Sequence, residues 1–136
     1  MQDTKLLTAK NLQILEKARQ HIKRKYKDGL TSIAAVLTTK KGGVYTGINL
    51  KYKKIWKCIC AEKVAIAKAV EQGESELDTI VSVKYVPEEN KYFVVNMCGE
   101  CRQIAFCYKS LRVIVDDKGI LRAVSINKTF PFHLKL

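Results

Sequence analysis

The chain has 136 residues, 47% hydrophobic and 28% charged, a balance that supports a packed core and excludes a disordered chain. Its size suits one domain, 1–136, and its longest apolar run, 33–37, falls far short of the ~18 residues that cross a bilayer. Lys and Arg number 25 against 13 Asp and Glu, a formal +12, but the lysines are scattered through KRKYK, TTKK and KYKKIWK without an arginine-rich stripe, so the field alone does not make nucleic acid the expected partner.

Leu12, Leu15, Ala18, Ile22 and Tyr26 recur at three- and four-residue steps, one face of an amphipathic helix that Thr8 or Asn11 can cap and Gly29 can end. Segments 32–39 and 44–50 read as strands joined by KKGG, whose glycines supply the turn. Residues 60–72 are good helix formers, apolar on most sides and stopped by Gly73, so this helix is expected to be buried. A strand over 79–86 follows, then a turn at Pro87 to Asn90 and an extended stretch to Asn96. A helix over 99–108 and strands at 111–115 and 121–125, separated by Asp117-Lys118-Gly119, complete the order. This alternation predicts an α/β fold, a sheet with helices on both faces and hairpin-like strand pairs at its two ends.

Five cysteines, at 58, 60, 98, 101 and 107, occur in a chain whose N-terminus, with an early acid and interleaved charges, does not read as a secretory signal, which points to metal or catalysis rather than to disulfides. They fall in two clusters, Cys60-Ala61-Glu62 and Cys98-Gly99-Glu100-Cys101-Arg102-Gln103. A Cys-x-x-Cys alone is a weak signal. Combined with a Cys-x-Glu at the start of a buried helix, it matches the three-cysteine form of a zinc deaminase site, with three ligands and a glutamate that is not one. The chemistry requires these residue types: a catalytic zinc keeps one position open for water, and a nearby carboxylate must carry the proton. Glu62 is the candidate shuttle, and Cys60, Cys98 and Cys101 the candidate ligands. Three thiolates leave a net negative site, which helix N-termini and the flanking Lys63 and Arg102 are expected to offset, with Gln103 a further neighbour of the ligands. The competing readings are a structural zinc with Cys58 as fourth ligand and a redox dithiol at Cys98 and Cys101. Neither gives Glu62 a role. Cys58 and Cys107 are expected to be small buried apolar residues.

The same residues resemble the small cytidine deaminase family, including its blasticidin-S deaminase branch, over nearly the whole chain. VYTGINL looks like the family's strand ending in a substrate-contacting asparagine, here Asn49. CAEKVAIAKAVEQGESELDTI is similar to its buried zinc helix and following strand. MCGECRQ corresponds to its second zinc segment, and Thr129-Phe130-Pro131-Phe132 resembles its C-terminal element. The resemblance implies a three-layer α/β/α sandwich around a mixed five-stranded sheet. It also implies one Zn²⁺ per chain on Cys60, Cys98 and Cys101, Glu62 as proton shuttle, and a homotetramer with active sites at subunit contacts. Substrate contacts are expected at Asn49 and Ala61 and at the positions of Thr31 and Lys51, and His133 and Phe132 are candidates to reach a neighbouring subunit's pocket.

Thr31 stands where the family has an aromatic residue that packs on the pyrimidine, Lys51 where it has an acid that binds the ribose, and Met97 where it has a proline. An ammonium cannot accept hydrogen bonds from sugar hydroxyls, so the substrate side departs from the family while the candidate metal ligands do not. The expected function is hydrolytic deamination of cytidine, deoxycytidine or a close cytosine nucleoside, in nucleoside metabolism of the pyrimidine-salvage type and in the cytoplasm. The alternatives are a blasticidin-S-type deaminase and, behind it, a nucleic-acid editing deaminase. The partners expected are a nucleoside and further copies of the chain, with no membrane.

Overall fold

A computed structural model describes residues 2–55 and 57–129, with Lys57 described by its backbone only. The elements in chain order are α1 (Ala9–Lys25), β1 (Ile33–Thr39), β2 (Val44–Ile48), β3 (Leu50–Tyr52), β4 (Lys57–Ile59), α2 (Ala61–Glu71), β5 (Leu77–Val86), β6 (Lys91–Val94), α3 (Gly99–Ala105), β7 (Arg112–Asp117), β8 (Ile120–Ser125) and α4 (Ile126–Thr129). Thr8 caps α1 as expected, its Oγ1 accepting from the Asn11 amide. The helix ends at Lys25, earlier than Gly29, which instead serves the following turn with a φ of +74°.

The main sheet runs β2-β1-β5-β7-β8. Its neighbours are antiparallel except β5 and β7, which are parallel and have α3 in their connection. The five expected positions across the sheet are present, and a sixth strand shares one of them. β6 pairs with β5 at Val83–Val86, while β7 pairs with it at Thr79 and Ile80. The ribbon of β3 and β4 is separate and was not expected from the sequence.

Strand alternation explains the layers. Ala34 and Val36 of β1 pack with Ile14, Leu15, Ala18 and Ile22 of α1, whereas Ala35 and Leu37 pack with Ala61, Ala65 and Ala69 of α2 and Ala105 of α3. Both faces of β1 are therefore covered, which is why it reads as a continuous apolar run. The result is the three-layer α/β/α arrangement, α1 on one face and α2, α3 and α4 on the other. No described helix is long and apolar enough to cross a membrane.

Two side chains extend the backbone pairing. The Gln2 amide donates to the Val94 carbonyl at 3.0 Å and accepts from the Val94 N–H at 2.7 Å. Asn96 makes the same double bond to Asp116, at 3.2 and 2.9 Å.

Candidate metal centre and active site

Two helix starts bring the cysteine clusters together. Cys60 precedes α2 in extended conformation and Cys98 precedes α3 in the same way. Alanines at positions 61, 65 and 69 give α2 a flat stripe every fourth residue, all fully buried, and Gly47 of β2 lets the helix lie close. A Cβ at Gly47 would stand 2.7 Å from the Ala65 nitrogen and collide with the Ala61 carbonyl. Gly47 was not singled out from the sequence, although a glycine inside a strand signals such an approach.

The Sγ atoms of Cys60, Cys98 and Cys101 lie within 4.8 Å of one another. Cys60 and Cys98 are 3.8 Å apart, and the Cys98 sulfur accepts from the Cys101 amide at 3.4 Å. Burial pushes the Cys60 thiol up to about 11 and Cys101 higher still. Burial also acts on Cys98, but hydrogen bonds from the Cys101 amide and from the other two thiols outweigh it and hold Cys98 below the ordinary thiol value. Three thiolates at this separation require a cation among them, and a compact set of soft donors is suited to zinc. The donor set therefore fits a zinc ion.

Cys58 is exposed and outside this cluster, as is Cys107. Both expectations of small buried residues are corrected: Cys58 lies on the short β3–β4 ribbon and Cys107 follows the end of α3, where no layer covers them. Among the described residues the cluster without Cys58 offers three sulfur donors, the number of protein ligands that a catalytic rather than a structural zinc has.

Glu62 is 5% exposed in the first turn of α2. Burial raises its carboxyl above the ordinary value, and its own backbone amide and the Ser82 hydroxyl beside it act in the opposite direction. Ser82 is a buried residue of β5, on the strand face that also presents Ile80 to α2. It was missed in the sequence, where the alternation in IVSVK sets its hydroxyl on the same face as Ile80.

The flanking residues have specific partners. Lys63 Nζ pairs with the Glu100 carboxylate, and that contact first, then the charges of Glu100, Cys101 and Cys60, raises its pKa. Arg102 donates to the Met97 carbonyl at 2.9 Å and to the Thr129 carbonyl at 3.0 Å, so it ties α3 to both flanking segments. Gln103 is half-buried on α3.

On the substrate side, Asn49 is 3% exposed and its Oδ1 accepts from the Ser32 and Ile33 amides, each at 2.9 Å. The Thr31 hydroxyl donates to the Asn49 carbonyl at 3.0 Å, and Thr31 is itself buried. These two residues lock the entry to β1 onto the end of β2. Ala61 opens α2 against the same strands, and Lys51 lies half-buried on β3. Phe130, Pro131, Phe132 and His133 lie outside the described residues, and His21 is on α1, away from the sulfurs by layer.

Residues 8–116 match the family model described as the cytidine and deoxycytidylate deaminase zinc-binding region. A blasticidin-S deaminase of Bacillus cereus is 29% identical over 129 residues, 92% of each chain. A cytidine deaminase of Sporosarcina psychrophila is 28% identical over 102 residues, 73% of this chain and 71% of that one. Among solved structures, a cytidine deaminase from Burkholderia pseudomallei superposes with a TM-score of 0.73 at 23% identity, covering 94% of this chain and 100% of that chain, which shows the fold.

Proposed function

The chain belongs to the cytidine and deoxycytidylate deaminase family, and from that premise we propose that it hydrolyses the exocyclic amine of a cytosine ring in a free nucleoside-type small molecule. The observation that carries the reading is the pairing of the three-sulfur cluster with a buried carboxylate two residues beyond its first member. Cys60, Cys98 and Cys101 hold the zinc, which when bound supplies Lewis acidity and makes a water available as nucleophile at neutral pH.

The remaining chemistry belongs to the protein. One water adds its oxygen to the ring carbon that bears the amine, and the Glu62 carboxylate takes the proton that this oxygen sheds. Glu62 passes that proton to the ring nitrogen, then takes the proton left on the added hydroxyl and gives it to the departing amine, so that a carbonyl forms as the amine is released. The carbon–nitrogen bond breaks, ammonia leaves and the uracil-type product remains. Burial suits this role, since a carboxyl raised above its ordinary value by desolvation both accepts and returns a proton readily. Ser82 orients the carboxylate. Asn49 and Thr31 hold the β1 entry, and Ala61 borders the ring position at the start of α2.

Two further features of the reading are proposals of the same kind. The chain acts as a homotetramer whose neighbours close the site, and it serves pyrimidine salvage in the cytoplasm. A second reading, deamination of a modified cytosine nucleoside of the blasticidin-S kind, draws support from the 92% mutual coverage with the Bacillus cereus enzyme and from Lys51 at the sugar-reading position. The deciding experiment is ammonia release by zinc-loaded protein from cytidine, deoxycytidine and blasticidin S, with Glu62→Ala as control. Turnover lost in the variant supports deamination. Silence on all three would overturn the substrate class.

A further inference from the structure

A cavity of about 750 Å³ opens between α1 and the border of β6. Glu16, Arg19, Gln20 and Lys23 form one wall, a stripe at helical spacing about 10 Å long, and Lys91 and Tyr92 belong to the other. The backbone at Tyr92 is unpaired. On β5, Tyr85 donates to the Ser32 carbonyl at 2.9 Å, whereas Ser82 accepts from Val95 at 3.0 Å. Bonds toward β6 therefore fall on the residues of β5 that alternate with Tyr85. Tyr92, which opposes Tyr85, turns its N–H and carbonyl away from the sheet. Val94 does the same and is met by the Gln2 carboxamide, at 3.0 and 2.7 Å. No hydrogen bond among the described residues reaches the Tyr92 backbone. Gln2 shows what this border accepts, an amide that presents one donor and one acceptor side by side, and it limits further pairing to Tyr92.

The side chains around that open backbone are cationic. Tyr92 stacks on Tyr85 with ring centroids 4.7 Å apart, and both rings pack with the α1 side of the core. A residue bonded opposite Tyr92 would direct its side chain to the same face, toward Arg19 and Lys23. Arg19 makes a 3.6 Å contact with Glu16, while Lys23 and Lys91 are exposed and in no ion pair among the described residues. An acidic side chain is the complement of this wall. A long run of phosphates suits it less. Glu16 stands at one end of the stripe, and beyond the other end Asp28 accepts from the Tyr26 hydroxyl at 3.3 Å, so the cationic stretch is short.

We propose that this cavity docks a short extended peptide segment of a partner protein, through paired backbone hydrogen bonds to Tyr92 and through an Asp or Glu of the segment held by Lys23 and Arg19. The mode is strand addition confined to one ladder step, in which main-chain bonds give affinity and the side-chain pocket gives specificity. α1 lies on the opposite face of the sheet from α2 and α3, which carry the sulfurs, so the docking site goes beyond the deaminase reading and does not depend on it.

The test uses zinc-loaded protein and acetylated, amidated peptides of the pattern Val-Thr-Glu-Thr-Val, with further versions whose central residue is Lys or N-methylated Glu. Calorimetry gives the dissociation constants, and hydrogen exchange reads the Tyr92 amide. The glutamate peptide should bind with a constant of roughly 10–500 µM and slow exchange at Tyr92. Lys23→Glu should weaken it about tenfold or more, the range of a hydrogen bond to a charged group, and the lysine peptide should recover that loss. N-methylation should weaken binding by a similar factor, because it removes the donor aimed at the Tyr92 carbonyl. Lys17→Met, on α1 outside the cavity wall, should change nothing. Absence of saturable binding at millimolar peptide overturns the proposal, as does binding that N-methylation or Lys23→Glu leaves unaltered. Protection of Tyr92 that grows with protein concentration alone assigns the groove to a second copy, and tighter competitive binding of an oligothymidylate assigns it to nucleic acid. Either result overturns the peptide reading.

Discussion

Lys63, in the first turn of α2, forms an ion pair with Glu100, in the first turn of α3. The two helices that carry the cysteine clusters are thus joined by charge as well as by sulfur. Glu100 is largely exposed, so the pair contributes about 1 kcal/mol or less to folding. Its importance lies in where it holds the ammonium. Lys63→Met should weaken zinc binding by about tenfold or more, the range seen when a group supporting the ligands is removed. Glu100→Gln leaves the cation in place and should change zinc affinity far less. Competition with a chromogenic chelator reads both.

Glu62→Gln should lower kcat by roughly 10²- to 10⁴-fold, the usual range for a positioned acid–base group, with one zinc per chain retained by metal analysis. Stability should hold or rise, because the amide carries no charge to desolvate at a buried position. A variant that lost zinc together with activity would show Glu62 to be a ligand instead.

Gly47→Ala places a methyl group against the α2 backbone, 2.7 Å from the Ala65 nitrogen. Neither the strand nor the helix can give way without disturbing Cys60 and Glu62, so a loss of about 1–3 kcal/mol or more is expected, read as a fall in Tm, with activity falling too. Gly99→Ala, where a Cβ meets nothing within 4 Å, should leave stability unchanged or slightly raised.

Asn49 separates a fold role from a binding role. Asn49→Ala strands two amides that its Oδ1 now satisfies, at a cost of about 1–3 kcal/mol for each group left unpaired. Asn49→Asp keeps an acceptor for both amides, removes the side-chain N–H donors and adds a charge at a buried position, so some loss of Tm is expected from its desolvation. If the side chain also donates to substrate, the aspartate variant should raise KM when assayed well below its Tm, where it is fully folded. Unaltered kinetics in that variant would confine Asn49 to the fold.

Burial tends to raise the Asp78 carboxyl, but hydrogen bonds and charge from Lys40 and Lys10 outweigh it and hold it below the ordinary carboxylate value. A depressed acid contributes stability that is complete above its unfolded pKa, about 3.9, and is lost as pH falls through its folded value. Both lysines are well exposed, so the contribution is about 1 kcal/mol or less. Asp78→Asn should lower stability at neutral pH and converge with the unsubstituted protein as pH falls through the folded pKa of Asp78, as urea midpoints measured down an acid series would show.

Where the chemistry is local, the sequence was a good guide. Thr8 capped its helix, KKGG turned β1 into β2, and helices cover both faces of the sheet as the order of elements implied. The sulfur cluster was legible because ligand identity and helix-start position are both short-range properties. Features set by contacts distant in sequence were not. The ribbon pairing of Lys51 with Cys58 depends on where β2 releases the chain, and the exposure of Cys58 and Cys107 depends on what fails to cover them. That the Asn49 carboxamide is engaged with Ser32 and Ile33 is a fact of tertiary register, and Ser82 acquired its neighbour only when β5 was placed beneath α2.

The bonds between Gln2 and Val94 have a consequence for how copies of this chain meet. Val95 donates inward to Ser82, so the Val94 amide and carbonyl point outward, and these are the groups that Gln2 occupies. A strand from another molecule that tried to continue the sheet beyond β6 would find its hydrogen bonds already taken by a single side-chain amide. Pairing at Val94 is thereby blocked, which leaves the outer strands β2 and β8, the helix faces and the ribbon for any association of subunits.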